Sequence, residues 1–395
     1  MGVRERIWMV GLTCLSTVAS CQTTKDNADE WANPEVVEVP LGADGLKRLT
    51  AEQYNNTVMD IFPSAGLEAV VFPFELDVDG FDNNTAVNTA TPTLVETYFE
   101  AGFVVAGTVA RVAENVLPCD PVTASCAKRY LVDTARRAWR RDLTSEEQRA
   151  LELQFDQDVA LYDWRGALEL GIAYLLQVPD FLYFPEFGTG TASQGSHRVA
   201  LTSYEVASRL SYLIWNSMPD ETLLDLAKAD KLRDRERVVA QAWRMLGDIK
   251  AQRGVLGFYK QLLDLDKIGT TSLDFSVYLN EFEGDAGSDY LHQILQPAMR
   301  FEPEIFVTHE IFRGSGSLAG LLTANHTFIT PPLAELYGVE IDEDSEAIAW
   351  HSEFSETLDY IYEDTFYRTQ LNGNQRAGVL TMLGFLNSHS KLTHP

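Results

Sequence analysis

With 395 residues, 45% of them hydrophobic and 11% aromatic, the chain has apolar material for two or three packed cores. Its 58 acidic side chains outweigh 31 basic ones, for a formal net charge of −27 at neutral pH. Such a field repels nucleic acid and anionic lipid while favouring solubility and cation uptake, which sets nucleic-acid binding aside.

The chain opens on an export signal. Arg4 and Arg6 precede a mostly apolar run from Ile7 to Ala19, shorter than the ~20 residues that a membrane-spanning helix needs. The run ends in Val18-Ala19-Ser20-Cys21, which resembles the bacterial lipobox. That resemblance implies a signal peptide over residues 1–20 and lipid on Cys21, with the membrane as partner through this anchor. Gln22, a non-aspartate, implies the outer rather than the inner membrane of the cell envelope. An ordinary secretory peptide that happens to contain a cysteine, or a poor cytoplasmic N-terminus, is the rival reading. Residues 21–45 are polar and acidic with scattered Pro and Gly, and read as a tether.

Three helix starts share one signature. "LTAEQ" (Leu49–Gln53), "LTSEE" (Leu143–Glu147) and "LTSYE" (Leu201–Glu205) each set Thr three residues before Gln or Glu. This is the capping box, in which the two side chains satisfy each other's backbone N–H groups. Apolar periodicity after each box predicts a mainly α, multi-module protein with long loops and little strand. The first module, 46–127, holds a helix ending near Phe62, an Asp/Asn-rich loop, a helix from Pro92 to Val116 and a cysteine hairpin. The second, 128–188, is helical and broken by Pro179. After a Gly/Ser linker, the third and largest module, 197–340, carries helices near 204–215, 220–229, 235–246, 254–265, 292–312 and 332–337. Residues 341–395 read as the start of a C-terminal module that the chain cuts short, and "AIAWHS" (Ala347–Ser352) is their best strand pattern.

Of four cysteines, Cys14 lies in the signal and Cys21 takes lipid, leaving Cys119 and Cys126 in "CDPVTASC". Two thiols this close in an oxidising compartment are expected to pair as a disulfide. No Cys-x-x-Cys-His haem motif occurs, and no further cysteine is available for a thiolate metal site.

The stretches "RLTAEQYNNTVMDIF", "DGFDNN", "ARRAWRRDLTSEE", "LLQVPDFLYFPE", "LTSYEVASRLSYLIWNSMPDETLLDLA" and "LLTANHTFITPPLAELYGV" occur in that order. Together they resemble the modular exported proteins of unknown function found in planctomycetes and myxobacteria, whose larger members carry c-type cytochrome domains. The haem motif of those members is missing, so the resemblance does not imply redox chemistry, and because the family has no established activity it supplies no catalytic residues.

Candidate sites are few. Asp77, Asp79 and Asp82 with Asn83 and Asn84 offer hard oxygen ligands around Gly80, which suits calcium. Position twelve of an EF-hand count from Glu75 is Ala86, so a full EF-hand fails, and a polar loop capping its own turns is the alternative. Seven histidines are scattered without zinc-motif spacing, although "THE" (Thr308–Glu310) and "NH" (Asn325–His326) could meet in space. Paired acids such as Glu302 and Glu304 carry little information in so acidic a chain. The cluster Arg136–Arg141 reads as a helix C-terminus pairing with acids, or as a docking face for an acidic partner. Trp139 and Trp215 are assigned to the core. Two functions remain open: a binding or assembly subunit with an envelope protein as partner, or an extracytoplasmic hydrolase acting on a polymer.

Overall fold

The computed structural model of the chain describes residues 46–75, 77–85, 87–188, 199–268, 294–342, 344–351 and 363–389. Cys21, the signal and the tether lie outside these residues. A short strand β1 (Lys47–Arg48) leads into helix α1 (Ala51–Ile61). The helix begins where the capping box places it: Thr50 Oγ1 accepts from the Gln53 N–H at 3.3 Å, and Gln53 Oε1 accepts from the Thr50 N–H at 3.2 Å. Helix α2 (Pro92–Arg111) starts with Thr91 as cap and Pro92 in its first turn, where a missing N–H costs nothing. The single turn α3 (Ala113–Val116) and helix α4 (Ala124–Ala138) follow.

The second capping box, Thr144 with Glu147, opens α5 (Ser145–Leu175). At Asp163 the backbone leaves the helical region (φ 78°), and its carboxylate accepts from the N–H groups of Arg165 and Gly166, restarting the helix. Pro179 heads the short α6 (Pro179–Leu182), and strand β2 (Tyr183–Phe184) returns to pair antiparallel with β1. Helix α5 packs on both α2 and α4. Tyr54, Phe62, Leu131, Phe155 and Phe181 fill the resulting core, with Tyr54 edge-on to Phe181 at 5.4 Å.

The third capping box, Thr202 with Glu205, opens α7 (Ser203–Ile214), followed by α8 (Glu221–Lys228), α9 (Arg235–Leu246) and α10 (Lys250–Leu262). Trp215 is buried among them and donates to the Met245 carbonyl at 3.0 Å. Trp139 is buried too. Helix α10 crosses the end of α7 at a distance that admits no side chain: a Cβ on Gly254 would fall 2.2 Å from the Ile214 carbonyl oxygen. These helices are tied to α1 by polar contacts, the buried Thr57 and Tyr212 hydroxyls at 2.9 Å and Asn56 Nδ2 to the Asn216 carbonyl at 3.2 Å.

The last part holds α11 (Gln296–Phe312), α12 (Leu318–Thr323), β3 (His326–Ile329), α13 (Pro331–Tyr337), β4 (Ala347–His351), β5 (Glu363–Gln370) and α14 (Leu383–His389). The three strands form an antiparallel sheet in the order β3-β5-β4, so the central strand comes last in sequence. Residues beyond 341 thereby share a sheet with residues 326–329. Phe301, Ile305, Phe328 and Phe366 pack between α11 and the sheet. Fourteen helices against five short strands make the described chain mainly helical. Among the described residues no helix is long and apolar enough to cross a membrane.

Candidate functional site

The two remaining thiols form the expected disulfide, Cys119–Cys126. The arginine cluster turns inward. Arg136 pairs with Asp142, Glu221 and Asp225, and Arg141 with Glu147 and Asp180. Arg137 donates to the carbonyls of Asp60 and Ile61, and buried Arg140 to those of Asp180, Phe181 and Tyr183. These four are fasteners of the fold, and the docking-face reading gives way.

The paired acids Glu302 and Glu304 are core residues. Glu302 is fully buried and accepts from Thr327 Oγ1 at 2.7 Å and the Tyr337 hydroxyl at 2.7 and 2.9 Å. Burial, opposed by those bonds, pushes its carboxyl up to about 7. Glu304 faces Arg300 and Lys260. Among the described residues both carboxyls are buried, which suits a role in packing rather than contact with a substrate.

The Asp/Asn loop turns tightly at Val78–Phe81, with Asp79 and Gly80 both at positive φ. Asp82 is committed to α10: Gln261 Nε2 donates to its carboxylate at 3.0 Å, and its own N–H donates to Gln261 Oε1 at 3.4 Å. Asp77, Asp79 and Asp82 do not gather as a three-carboxylate set among the described residues. Asn83 lies beside Asp82 on the rim of a cleft.

That cleft has a volume of about 440 Å³, within the range of small-molecule sites. One wall is the start of α1 with Glu52 and Gln53, and a second is the turn at Phe81–Asn83. The β2 end supplies Phe184 and Glu186, and α7 and α10 close it with Tyr212, Phe258 and Gln261. The cations along it are already paired, Lys47 and Arg209 with Glu186 and Arg48 with Glu75. Glu205 is held by its capping box and by the N–H groups of Phe187 and Gly188.

Glu52 stands apart. Its side chain opens to solvent in the cleft, while the cleft wall crowds the carboxyl from one side, its Oε2 lying 3.3 Å from where a Cβ on Gly257 would be. Burial is the main influence and pushes its pKa up to about 7; Asp82 and Asp266 add to the rise, while Lys260 and Arg253 oppose it. Asp82 is raised as well, chiefly by burial. Across the cleft Phe81 and Phe258 stack at 5.8 Å, and Phe258 is 49% exposed. The arrangement offers a carboxyl that changes charge near neutrality beside an aromatic face and several side-chain amides.

Models of three protein families match the chain: PSD3, a protein of unknown function (DUF1587), over residues 47–111; PSD5, a protein of unknown function (DUF1595), over 126–186; and PSD4, a protein of unknown function (DUF1592), over 201–339. The chain belongs to these modular families of unknown function. No curated protein and no solved structure matches it. The cleft takes residues from all three modules: Glu52 and Phe81 from the PSD3 segment, Phe184 and Glu186 from PSD5, and Tyr212, Phe258 and Gln261 from PSD4.

Glu52 escaped the sequence reading because it sits inside "LTAEQ", where a glutamate reads as a favourable first-turn charge. The two histidine-bearing stretches do meet: His309, Glu310 and His326 bring one ligand atom each to within 4.8 Å of one another.

Proposed function

We propose that the chain is an exported lipoprotein, held at the cell envelope by lipid on Cys21, and that it serves as a binding subunit whose three modules together hold a ligand in their shared cleft. The observation that carries this reading is the pairing, in one cleft, of the solvent-reached Glu52 carboxyl with the half-exposed Phe258 ring. The cations of the cleft are neutralised by protein acids, so an anionic ligand finds no free charge there. An uncharged polyhydroxylated ligand fits better. The C–H face of a sugar ring packs on an aromatic ring, and its hydroxyls pair with carboxyl and amide groups such as Glu52, Gln53, Asn83 and Asn216. The expected ligand class is a neutral glycan unit of a polymer outside the cell.

The test is calorimetric titration of the detergent-solubilised chain with a panel of neutral and acidic oligosaccharides. Saturable binding of a neutral member, weakened at least tenfold in both Phe258→Ala and Glu52→Gln, supports the reading. Binding of acidic members alone, or none, removes it. The anchor is tested separately, by loss of membrane partitioning in Cys21→Ser.

A second reading, hydrolysis of that polymer, is favoured by the same carboxyl, because an acid with a pKa near 7 can protonate a leaving group at neutral pH. Release of reducing ends that Glu52→Gln abolishes while keeping ligand binding would select it.

A further inference from the structure

Away from the cleft, helix α11 and strand β3 bring together two imidazoles and a carboxylate. His309 and Glu310 lie in the last turn of α11, and His326 begins β3. Both imidazole side chains are 9% exposed and the Glu310 side chain 5%. Nδ1 of His309 and Nε2 of His326 are buried without a hydrogen-bond partner. Two sealed ring nitrogens left unsatisfied in one cluster are costly unless something occupies the space between them. His326 Nε2 lies 3.8 Å from Glu310 Oε2, too far for a hydrogen bond and near enough to share an ion.

The surroundings are built around this cluster. Ser315 donates from its backbone N–H at 3.0 Å and from its hydroxyl at 2.6 Å to Glu310 Oε1, which fixes the carboxylate and leaves Oε2 turned to His326. A Cβ on Gly320 would fall 2.2 Å from Oε1, and one on Gly314 would fall 2.5 Å from Oε2, so the chain around Glu310 has room for the carboxylate only because both positions are glycine. His309 Nε2 is 3.4 Å from Glu346 Oε2, the arrangement in which an outer carboxylate orients a ligating imidazole through its far nitrogen. Phe328 packs 4.7 Å from the His309 ring and Phe306 packs 5.7 Å from His326, forming an apolar wall.

We infer that His309, Glu310 and His326 form a binding site for a divalent transition-metal ion, zinc in the first instance, with Glu346 and Ser315 orienting the ligands. Two imidazoles and one carboxylate are the donor set of a three-ligand zinc centre, whose fourth position takes water or another donor. Bonds of about 2.0–2.2 Å in tetrahedral geometry put neighbouring ligand atoms about 3.4 Å apart, so binding draws the cluster inward by about 1 Å.

The experiment uses the full chain without an affinity tag, stripped by chelator and dialysed against Zn²⁺ alone. One equivalent of zinc is expected to bind, with a rise in melting temperature that chelator reverses. Glu310→Gln and His326→Gln should each weaken affinity beyond the ten- to hundredfold loss expected for an orienting residue, and Ser315→Ala by about tenfold. Should the ligand variants fail to fold, Co²⁺ in the wild-type chain gives the answer: intense visible absorption marks a four-coordinate protein site. Absence of bound zinc, a colourless cobalt form, or unchanged affinity in folded Glu310→Gln overturns the inference.

Discussion

The carboxylate of Asp60, at the end of α1, takes its ion pair from Arg253 of α10, 193 positions further along the chain. Lys250 reaches the same carboxylate at 3.0 Å. Burial acts to raise the Asp60 pKa, but the two cations and the Ser217 hydroxyl prevail and hold it below the usual range. A carboxyl depressed by folding contributes stability that is complete above its unfolded pKa of about 3.9 and is lost as pH falls through the folded value. Arg253→Gln should therefore cost about 1–2 kcal/mol at pH 7, the lower part of the range for charged hydrogen bonds because Lys250 remains. Urea unfolding at pH 7 and pH 3 checks it, since the difference between variant and wild type should shrink in acid.

Glu302 works in the opposite sense. Its folded pKa is raised to about 7, so the chain takes up a proton on folding between that value and the unfolded pKa of about 4.3. The stability it contributes is complete below about pH 4.3 and is lost as pH rises through 7. Glu302→Gln should flatten that part of the pH dependence, and Glu52→Gln should remove the contribution of the second strongly raised carboxyl. Glu302→Ala should destabilise at every pH, by about 3 kcal/mol, because it leaves the Thr327 and Tyr337 hydroxyls sealed without their acceptor. Thermal melts of the three variants between pH 5 and pH 8 separate these effects.

Reduction of Cys119–Cys126 should be tolerated. The ring constrains a loop whose ends are only seven positions apart, so the chain-entropy term is about 2.5 kcal/mol. Helix α4 also has its own cap, Thr123 Oγ1 accepting from the Cys126 N–H at 3.2 Å. Circular dichroism should show intact helix in reductant with a lower denaturation midpoint, and collapse of the fold on reduction would oppose this.

Much of the helical architecture was legible because its signals are local. Thr50, Thr144 and Thr202 announce helix starts within four residues, and Pro92 and Pro179 mark first turns. Of the sheet, only β4 left a readable pattern. β3 is four residues buried on both faces, and β5 pairs with it from about forty positions away, a relation that no window of sequence contains. The cleft has the same character, since Glu52, Asp82, Glu186 and Phe258 become neighbours only after the modules pack. His309 and His326 stood out as residues, but their meeting depends on how α11 lies against β3.

The most direct measurement of the central claim is the reactivity of Glu52 toward a water-soluble carbodiimide with an added amine, which converts protonated carboxyls to amides with release of the urea, read by mass spectrometry of the full chain between pH 4 and pH 8. Glu52 should be modified with a midpoint near pH 7 and be protected by the neutral oligosaccharide that binds. Sealed Glu302 should stay unmodified. A Glu52 midpoint near 4.3, the value of an ordinary glutamate, with no protection by any ligand, would contradict the account.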